Sequence, residues 1–124
     1  MAAAQWFGLA LALAGVALQA VHDAHIKLGD RVAIFGLGVI GLLAVQLARL
    51  DGALWIDAVD PLPRRRALAE QFGADRTLDP AAGDVALAIK SGSPQRGADV
   101  AIELSGHDAA LHEAMRSVRV AGTV

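Results

Sequence analysis

Short apolar runs alternate with helical patterns along most of this chain, and the alternation predicts its fold. Runs that fit strands occupy residues 32–35, 54–59, 76–78, 99–104 and 120–124. Patterns that fit helices lie between them, at residues 39–50, 63–72, 81–90 and 108–118. Strands separated by helices imply parallel pairing with right-handed crossovers. The pattern therefore predicts an α/β fold with a doubly wound parallel sheet.

An apolar helix is expected before the first strand, over residues 1–26. No charged side chain occurs before Asp23, so the segment is long enough to cross a membrane. It has no basic start of the kind found in a signal peptide, and Gln5 and Gln19 interrupt it. We expect a buried or interface helix, with a membrane or secretory role as the alternative. We therefore place the α/β domain at residues 27–124.

A glycine motif follows the first predicted strand directly. Residues 36–41 read Gly-Leu-Gly-Val-Ile-Gly and continue into the first predicted helix. In a G-x-G-x-x-G turn between strand and helix, Gly36 permits the tight turn, Gly38 lets phosphates approach the backbone, and Gly41 lets the helix pack on the strand. Free N–H groups at the helix start attract an anion. The motif predicts a Rossmann-type site for a dinucleotide pyrophosphate.

An acidic residue, Asp60, ends the second predicted strand, 19 positions after Gly41. A carboxylate there can accept hydrogen bonds from both hydroxyls of the adenosine ribose and would repel a 2′-phosphate. The alternative is an aspartate that caps the turn before Pro61. We favour the ribose role, and with it NAD over NADP. The basic cluster at residues 64–66 leaves NADP open, although a solvated first helical turn explains it better.

Composition narrows the function classes. The 124 residues carry a net charge of −2 and form no basic stripe, so no nucleic-acid partner is expected. The absence of cysteine excludes disulfides, thiolate zinc sites and a cysteine nucleophile. A cofactor-binding α/β chain of this kind is expected in the cytoplasm.

Few side chains suggest a chemical step. His22 and His25 have a spacing that places them on one helical face, but polar residues at a helix end explain them better than a metal site. Glu103 stands in an apolar strand, where support of the neighbouring loop and contact with a ligand are equally reasonable. No catalytic residue and no metal site is predicted in this chain.

Several long stretches resemble the cofactor-binding domain of the medium-chain dehydrogenase/reductase family, in particular the zinc-type alcohol dehydrogenases. The resemblance covers most of residues 16–124. It is carried by the stretches ALQAVHDAHIKLGDRVAIFGLGVIGLLAVQLARL, AVDPLPRRRALAEQFGAD, RGADVAIELSG and ALHEAMRSVRVAGTV. Members of this family use a nicotinamide cofactor to oxidise alcohols or reduce carbonyls.

The resemblance implies roles for particular residues. Gly36, Gly38 and Gly41, with Leu37, Val39 and Ile40 between them, would bind the pyrophosphate. Asp60 would bind the ribose and Arg65 the adenosine side. Ser105 and Gly106 would lie towards the nicotinamide. Residues 1–26 would be the helix between two domains.

The resemblance also implies that parts of the family's architecture lie outside this chain. The family's substrate domain, with any catalytic zinc, has no counterpart here, and the last strands of the sheet are missing. We therefore expect a truncated cofactor domain, from an enzyme that forms homo-oligomers as family members do. A non-catalytic dinucleotide-binding or interaction module remains the alternative. A methyltransferase is less favoured, because residues 33–35 (Ala-Ile-Phe) lack the acidic residue that usually begins its glycine turn.

Overall fold

The computed structural model describes residues 2–94 and 96–124, which form one parallel sheet covered by helices. The strands are β1 (Arg31–Phe35), β2 (Trp55–Val59), β3 (Arg76–Leu78), β4 (Ala98–Glu103) and β5 (Val118–Thr123). The helices are α1 (Ala3–Asp23), α2 (Val39–Leu50), α3 (Pro63–Gln71), α4 (Val85–Ser91) and α5 (Asp108–Ser117). The strand order is β3-β2-β1-β4-β5, and every neighbouring pair is parallel.

Alternate residues of the central strands face two separate cores. Val32 and Ile34 pack with residues of α1 and α2, whereas Ala33 and Phe35 pack with residues of α4 and α5. Successive side chains of a strand point to opposite faces of the sheet, so helices on both faces bury residues 32–35 of β1. The predicted doubly wound α/β fold is confirmed.

Most predicted boundaries agree with the structure to within one residue, but three differ by more. Helix α1 ends at Asp23 rather than residue 26, because the chain turns away from the helix at Ala24 and His25, where His25 has a φ of +50°. The fourth helix begins at Val85 rather than residue 81, because Asp84 accepts a hydrogen bond from the Leu87 N–H at 3.0 Å and caps the helix there. Residues 81–83 form a turn instead, in which Asp79 accepts from the Ala81 N–H at 2.9 Å. The fifth strand begins at Val118 rather than residue 120.

Helix α1 is attached to the domain only near its C-terminal end. Ala17 and Val21 are buried against the core, whereas Trp6 and Phe7 remain 58% and 67% exposed. The helix has the length and mean hydropathy (1.6 over its best window) of a segment that could cross a membrane. The core helix of a soluble protein or a signal sequence satisfies the same test. The expectation of burial holds for the C-terminal third, and the expected interface for the rest stays a prediction.

Candidate functional site

The turn after β1 requires glycine at its first position for two reasons. Gly36 has a φ of +92°, which side-chain-bearing residues rarely adopt. A Cβ there would also lie 2.7 Å from the backbone nitrogen of Ser105, which follows β4. The N–H of Gly36 donates to the Val59 carbonyl oxygen at 2.9 Å, so the turn is fixed between β2 and β4.

The other two glycines of the motif have opposite surroundings. A Cβ on Gly41 would lie 1.8 Å from the carbonyl oxygen of Gly36, so only glycine permits α2 to approach the turn this closely. A Cβ on Gly38 would meet no atom within 4 Å. Gly38 therefore faces open space, where a ligand can approach the backbone.

The start of α2 offers hydrogen-bond donors to that space. Leu42 is the first residue of α2 whose N–H makes a hydrogen bond of the helix, and it donates to the Gly38 carbonyl oxygen at 2.9 Å. Within the described part of the chain, the N–H groups of Gly38, Val39 and Ile40 have no acceptor. The first turn of α2 carries no acidic residue, so no side chain of that turn neutralises the positive end of the helix dipole. Such a helix start suits a phosphate.

Asp60 lies directly after β2 and faces this turn. Its side chain is only 4% exposed, and its two oxygens accept backbone hydrogen bonds from different loops. Oδ2 accepts from the Leu37 N–H at 2.9 Å, and Oδ1 accepts from the Leu62 N–H at 2.8 Å. Of the six predicted loop residues, Gly36 and Leu37 thus use their amides within the protein.

The arginines of α3 divide into different roles. Arg66 donates to the carbonyl oxygens of Asp60 and Pro61, each at 2.9 Å, and so stabilises the β2–α3 turn. Arg65 places Nη1 3.6 Å from Oδ2 of Asp60, and its side chain is 48% exposed. Arg65 is therefore positioned to reach a group bound beside Asp60, and its contact with the adenosine side stays a prediction.

The loop after β4 forms the opposite side of the site. Glu103 accepts from the Ser105 N–H at 2.6 Å, from the Ser105 hydroxyl, and from the Gly106 N–H at 3.3 Å. The Ser105 hydroxyl oxygen accepts from the His107 N–H at 3.1 Å. Of the two roles considered for Glu103, the structure therefore shows support of the neighbouring loop.

A cavity of about 770 Å³ opens at the carboxyl ends of the strands. It brings together five of the predicted site residues: Gly36, Gly38, Asp60, Arg65 and Ser105. Leu37 and Gly41 are buried behind the wall, and Val39, Ile40 and Gly106 do not line it. Ser105 shares this cavity with Asp60; its predicted position towards the nicotinamide stays a prediction.

The cavity has a charged wall between α4 and α5 that was not predicted from the sequence. Arg116 donates to Asp84 at 2.9 Å and to Glu113 at 2.6 Å. The Arg116 guanidinium and the Leu87 N–H together hold the pKa of Asp84 below its usual value of 3.8. The hydrogen bonds from Arg116 to Asp84 and Glu113 in turn raise the pKa of Arg116. The only available signal was Asp84 as a capping residue before an apolar run, because Arg116 follows it by 32 positions.

No metal site is found among the described residues. In residues 2–94 and 96–124, no three histidine or acidic side chains lie close enough together to hold an ion. The rings of His22 and His25 are 6.3 Å apart at the end of α1, and both side chains are exposed. The described residues therefore do not fit a zinc ion.

Comparison with known proteins places this chain in a family. The family model for zinc-binding dehydrogenases matches residues 39–124. The chain is 43% identical, over 108 residues, to D-guloside 3-dehydrogenase of Escherichia coli (strain K12), covering 87% of this chain and 31% of that enzyme.

Solved structures agree with the sequence match. The structure of 2R,3R-butanediol dehydrogenase from Bacillus subtilis superimposes with a TM-score of 0.82 at 38% identity, covering 90% of this chain and 33% of that one. A protein of Sinorhizobium meliloti 1021, described as a zinc-binding dehydrogenase and bound to NADP, gives a TM-score of 0.81 at 43% identity, covering 90% and 33%.

The fold and the glycine turn define a nucleotide-binding α/β domain of the dehydrogenase type. More particularly, the chain belongs to the zinc-binding dehydrogenase family. It spans about a third of the length of the relatives that it matches.

Proposed function

We propose that this chain binds NAD(H) as the cofactor domain of an oxidoreductase that transfers a hydride between nicotinamide and an alcohol or carbonyl substrate. The observation that carries the proposal is the shared cavity of Gly38 and Asp60, with the unpaired amides at the start of α2 beside it. The relatives that it resembles are named as alcohol and polyol dehydrogenases, which supports the reaction class.

The residues present fit a nicotinamide dinucleotide. Gly38 leaves room for the pyrophosphate, whose negative charge the N–H groups of Gly38, Val39 and Ile40 would bind. Asp60 would accept hydrogen bonds from the ribose hydroxyls, with Arg65 beside it. The cofactor supplies the hydride chemistry, while these residues bind and orient it.

The preference for NAD over NADP rests on Asp60. A buried carboxylate disfavours a 2′-phosphate in contact with it, because two anions would share a poorly solvated site. Arg65 opposes that preference, since its half-exposed guanidinium lies next to the same carboxylate. We propose that the carboxylate dominates. A cytoplasmic location and a homo-oligomeric parent enzyme complete the proposal.

Calorimetric titration of the purified chain with NADH and with NADPH tests the function. We expect NADH to bind more tightly, and Asp60→Ala to weaken NADH binding selectively. Asp79→Ala is the matched control, because Asp79 also lies near an arginine of α3 but does not line the cavity. Binding of neither cofactor to chain shown to be folded by circular dichroism would overturn the function. Tighter NADPH binding would overturn only the cofactor preference.

A further inference from the structure

The Asp60 carboxylate connects two loops of the protein. One loop is the glycine turn, which donates the Leu37 N–H to Oδ2 at 2.9 Å. The other is the β2–α3 turn, which donates the Leu62 N–H to Oδ1 at 2.8 Å. Hydrogen bonds to an ionised acceptor are stronger than those between neutral groups, so both loops are held by the same charge.

We infer that Asp60 is a positioning residue for the phosphate-binding turn, in addition to any contact that it makes with ribose. The inference deepens the proposed function and rests on it for the identity of the ligand. It assigns to Asp60 an effect on the pyrophosphate end of the site, which a ribose contact alone would not have.

The position of Leu37 explains how this effect would reach the phosphates. Its side chain is fully buried in the core and its amide is held by Asp60, so the residue is fixed at both ends. The next three N–H groups in the chain are the proposed phosphate donors. Fixing Leu37 therefore restricts the backbone immediately before those donors, which lowers the entropy lost when a ligand orders them.

The two roles of the carboxylate are compatible. An ionised carboxylate has about four acceptor positions, and the two backbone amides use only two of them. Asp60 also lines the cavity, so a ribose bound there would lie beside the carboxylate. An asparagine could not replace it, because an amide side chain has a single acceptor oxygen and would leave one backbone N–H unpaired.

Amide hydrogen exchange of the ligand-free chain tests the positioning role without any cofactor. We expect Asp60→Asn to accelerate exchange at Leu37 or Leu62 by about tenfold, which corresponds to the loss of one hydrogen bond. Asp79→Asn is the matched control, because Asp79 also accepts a backbone N–H, from Ala81, and lies 3.7 Å from Arg66. Unchanged exchange at both positions in a folded Asp60→Asn variant would overturn the inference.

Binding of an altered cofactor provides the second test. The probe is an NADH analogue that lacks both hydroxyls of the adenosine ribose, so it cannot bond to Asp60 through them. If Asp60 also positions the turn, Asp60→Asn weakens binding of this analogue by about tenfold, whereas a residue acting only through ribose leaves it unchanged. Equal affinity of wild type and variant for the analogue would contradict the positioning role.

The two tests separate this inference from the proposed function. If the wild type binds no nicotinamide dinucleotide, the function fails, but exchange at Leu37 and Leu62 still decides whether the carboxylate holds the turn. If Asp60→Asn does not fold, exchange in the wild type decides. Slow exchange at Leu37 and Leu62 beside fast exchange at Gly38 and Val39 supports the inference, and fast exchange at all four overturns it.

Discussion

Carboxylates and backbone amides lie at both ends of the sheet, but they have different partners at the two ends. At the carboxyl ends, Gly38 lines an open cavity, and the backbone amides at the start of α2 have no protein acceptor in the described part of the chain. At the amino ends, aspartates and arginines are bonded to one another and to the backbone. The first arrangement leaves donors for a ligand, whereas the second uses them to hold the strands together.

Asp99 is the clearest example at the amino ends. Its carboxylate accepts from the Arg31 N–H of β1 at 2.8 Å and from the Arg119 guanidinium of β5 at 2.5 Å. It thereby joins three neighbouring strands. Asp60 likewise accepts two donors at the carboxyl ends, but it also lines a cavity.

A second carboxylate at the amino ends is more deeply buried. Asp57 is 2% exposed and accepts from Arg76 at 2.6 Å and from the Trp55 indole N–H at 3.1 Å. The guanidinium of Arg31 lies 5.0 Å from the centre of the Trp55 ring. A buried charge needs partners of this kind. Partners, rather than residue types, therefore distinguish a stabilising charge from a binding one.

The largest expected effect comes from filling the tightest contact of the glycine turn. Gly41→Ala would place a Cβ 1.8 Å from the Gly36 carbonyl oxygen, and neither backbone can move away without displacing α2. We expect the free energy of unfolding to fall by about 3 kcal/mol or more, with loss of NADH binding. Urea denaturation followed by circular dichroism measures the change.

The control for this substitution is the same exchange in α1. Gly15→Ala adds a Cβ that meets no atom within 4 Å, and alanine favours a helix by about 0.5–1 kcal/mol over glycine. We therefore expect this variant to be as stable as the wild type or more so. Equal destabilisation by both substitutions would contradict the geometric explanation.

Gly38→Ala separates ligand binding from folding at the carboxyl ends. Its φ of −69° suits alanine, and the added Cβ meets no protein atom, so we expect the melting temperature to stay unchanged. The methyl group would occupy space where the phosphates approach the backbone, so NADH affinity should fall by at least about tenfold. Calorimetry and thermal unfolding on the same sample measure the two effects. Wild-type affinity in this variant would show that the pyrophosphate lies elsewhere.

The carboxyl ends of the sheet could be predicted from sequence because their signal is local. The three glycines of the motif lie within six consecutive positions, and Asp60 follows at a distance fixed by one helix and one strand. The alternation of apolar runs likewise predicted the strand and helix types correctly. The alternative considered for Asp60, a cap of the turn before Pro61, is also observed, because Oδ1 accepts from the Leu62 N–H. What the sequence could not reveal is that Leu37 uses the other oxygen.

The amino ends and the α4–α5 wall were missed because their pairs are long-range. Asp99 and Arg31 are 68 positions apart, and Arg76 reaches Asp57 across 19. Charged residues at such separations carry no periodic signature in one sequence. The misplaced start of α4 has a local cause, since either Asp79 or Asp84 could cap a helix and only the packing of Val85 and Ile89 selects the second.

The smallest predicted effect is the pH dependence of the stability that Asp99 contributes at the amino ends of the strands. Burial alone would raise the pKa of Asp99, but the Arg31 N–H and the Arg119 guanidinium outweigh burial and lower it below 3.8. Because the folded state binds the proton more weakly than the unfolded state, Asp99 stabilises the fold at neutral pH. That contribution declines as the pH falls past 3.8 and is lost below the folded-state pKa.

Asp99→Asn measures this contribution directly. At neutral pH we expect the variant to be less stable than the wild type by about 1–2 kcal/mol, from one lost charge-assisted hydrogen bond. The difference should shrink as urea denaturation is repeated at lower pH, because protonation removes the wild-type advantage. Asp84→Asn is the control, since the pKa of Asp84 is also lowered but its pair with Arg116 is exposed and screened by solvent. A stability difference for Asp99→Asn that stays constant down to acidic pH would mean that its charge does not hold the amino ends of the strands together.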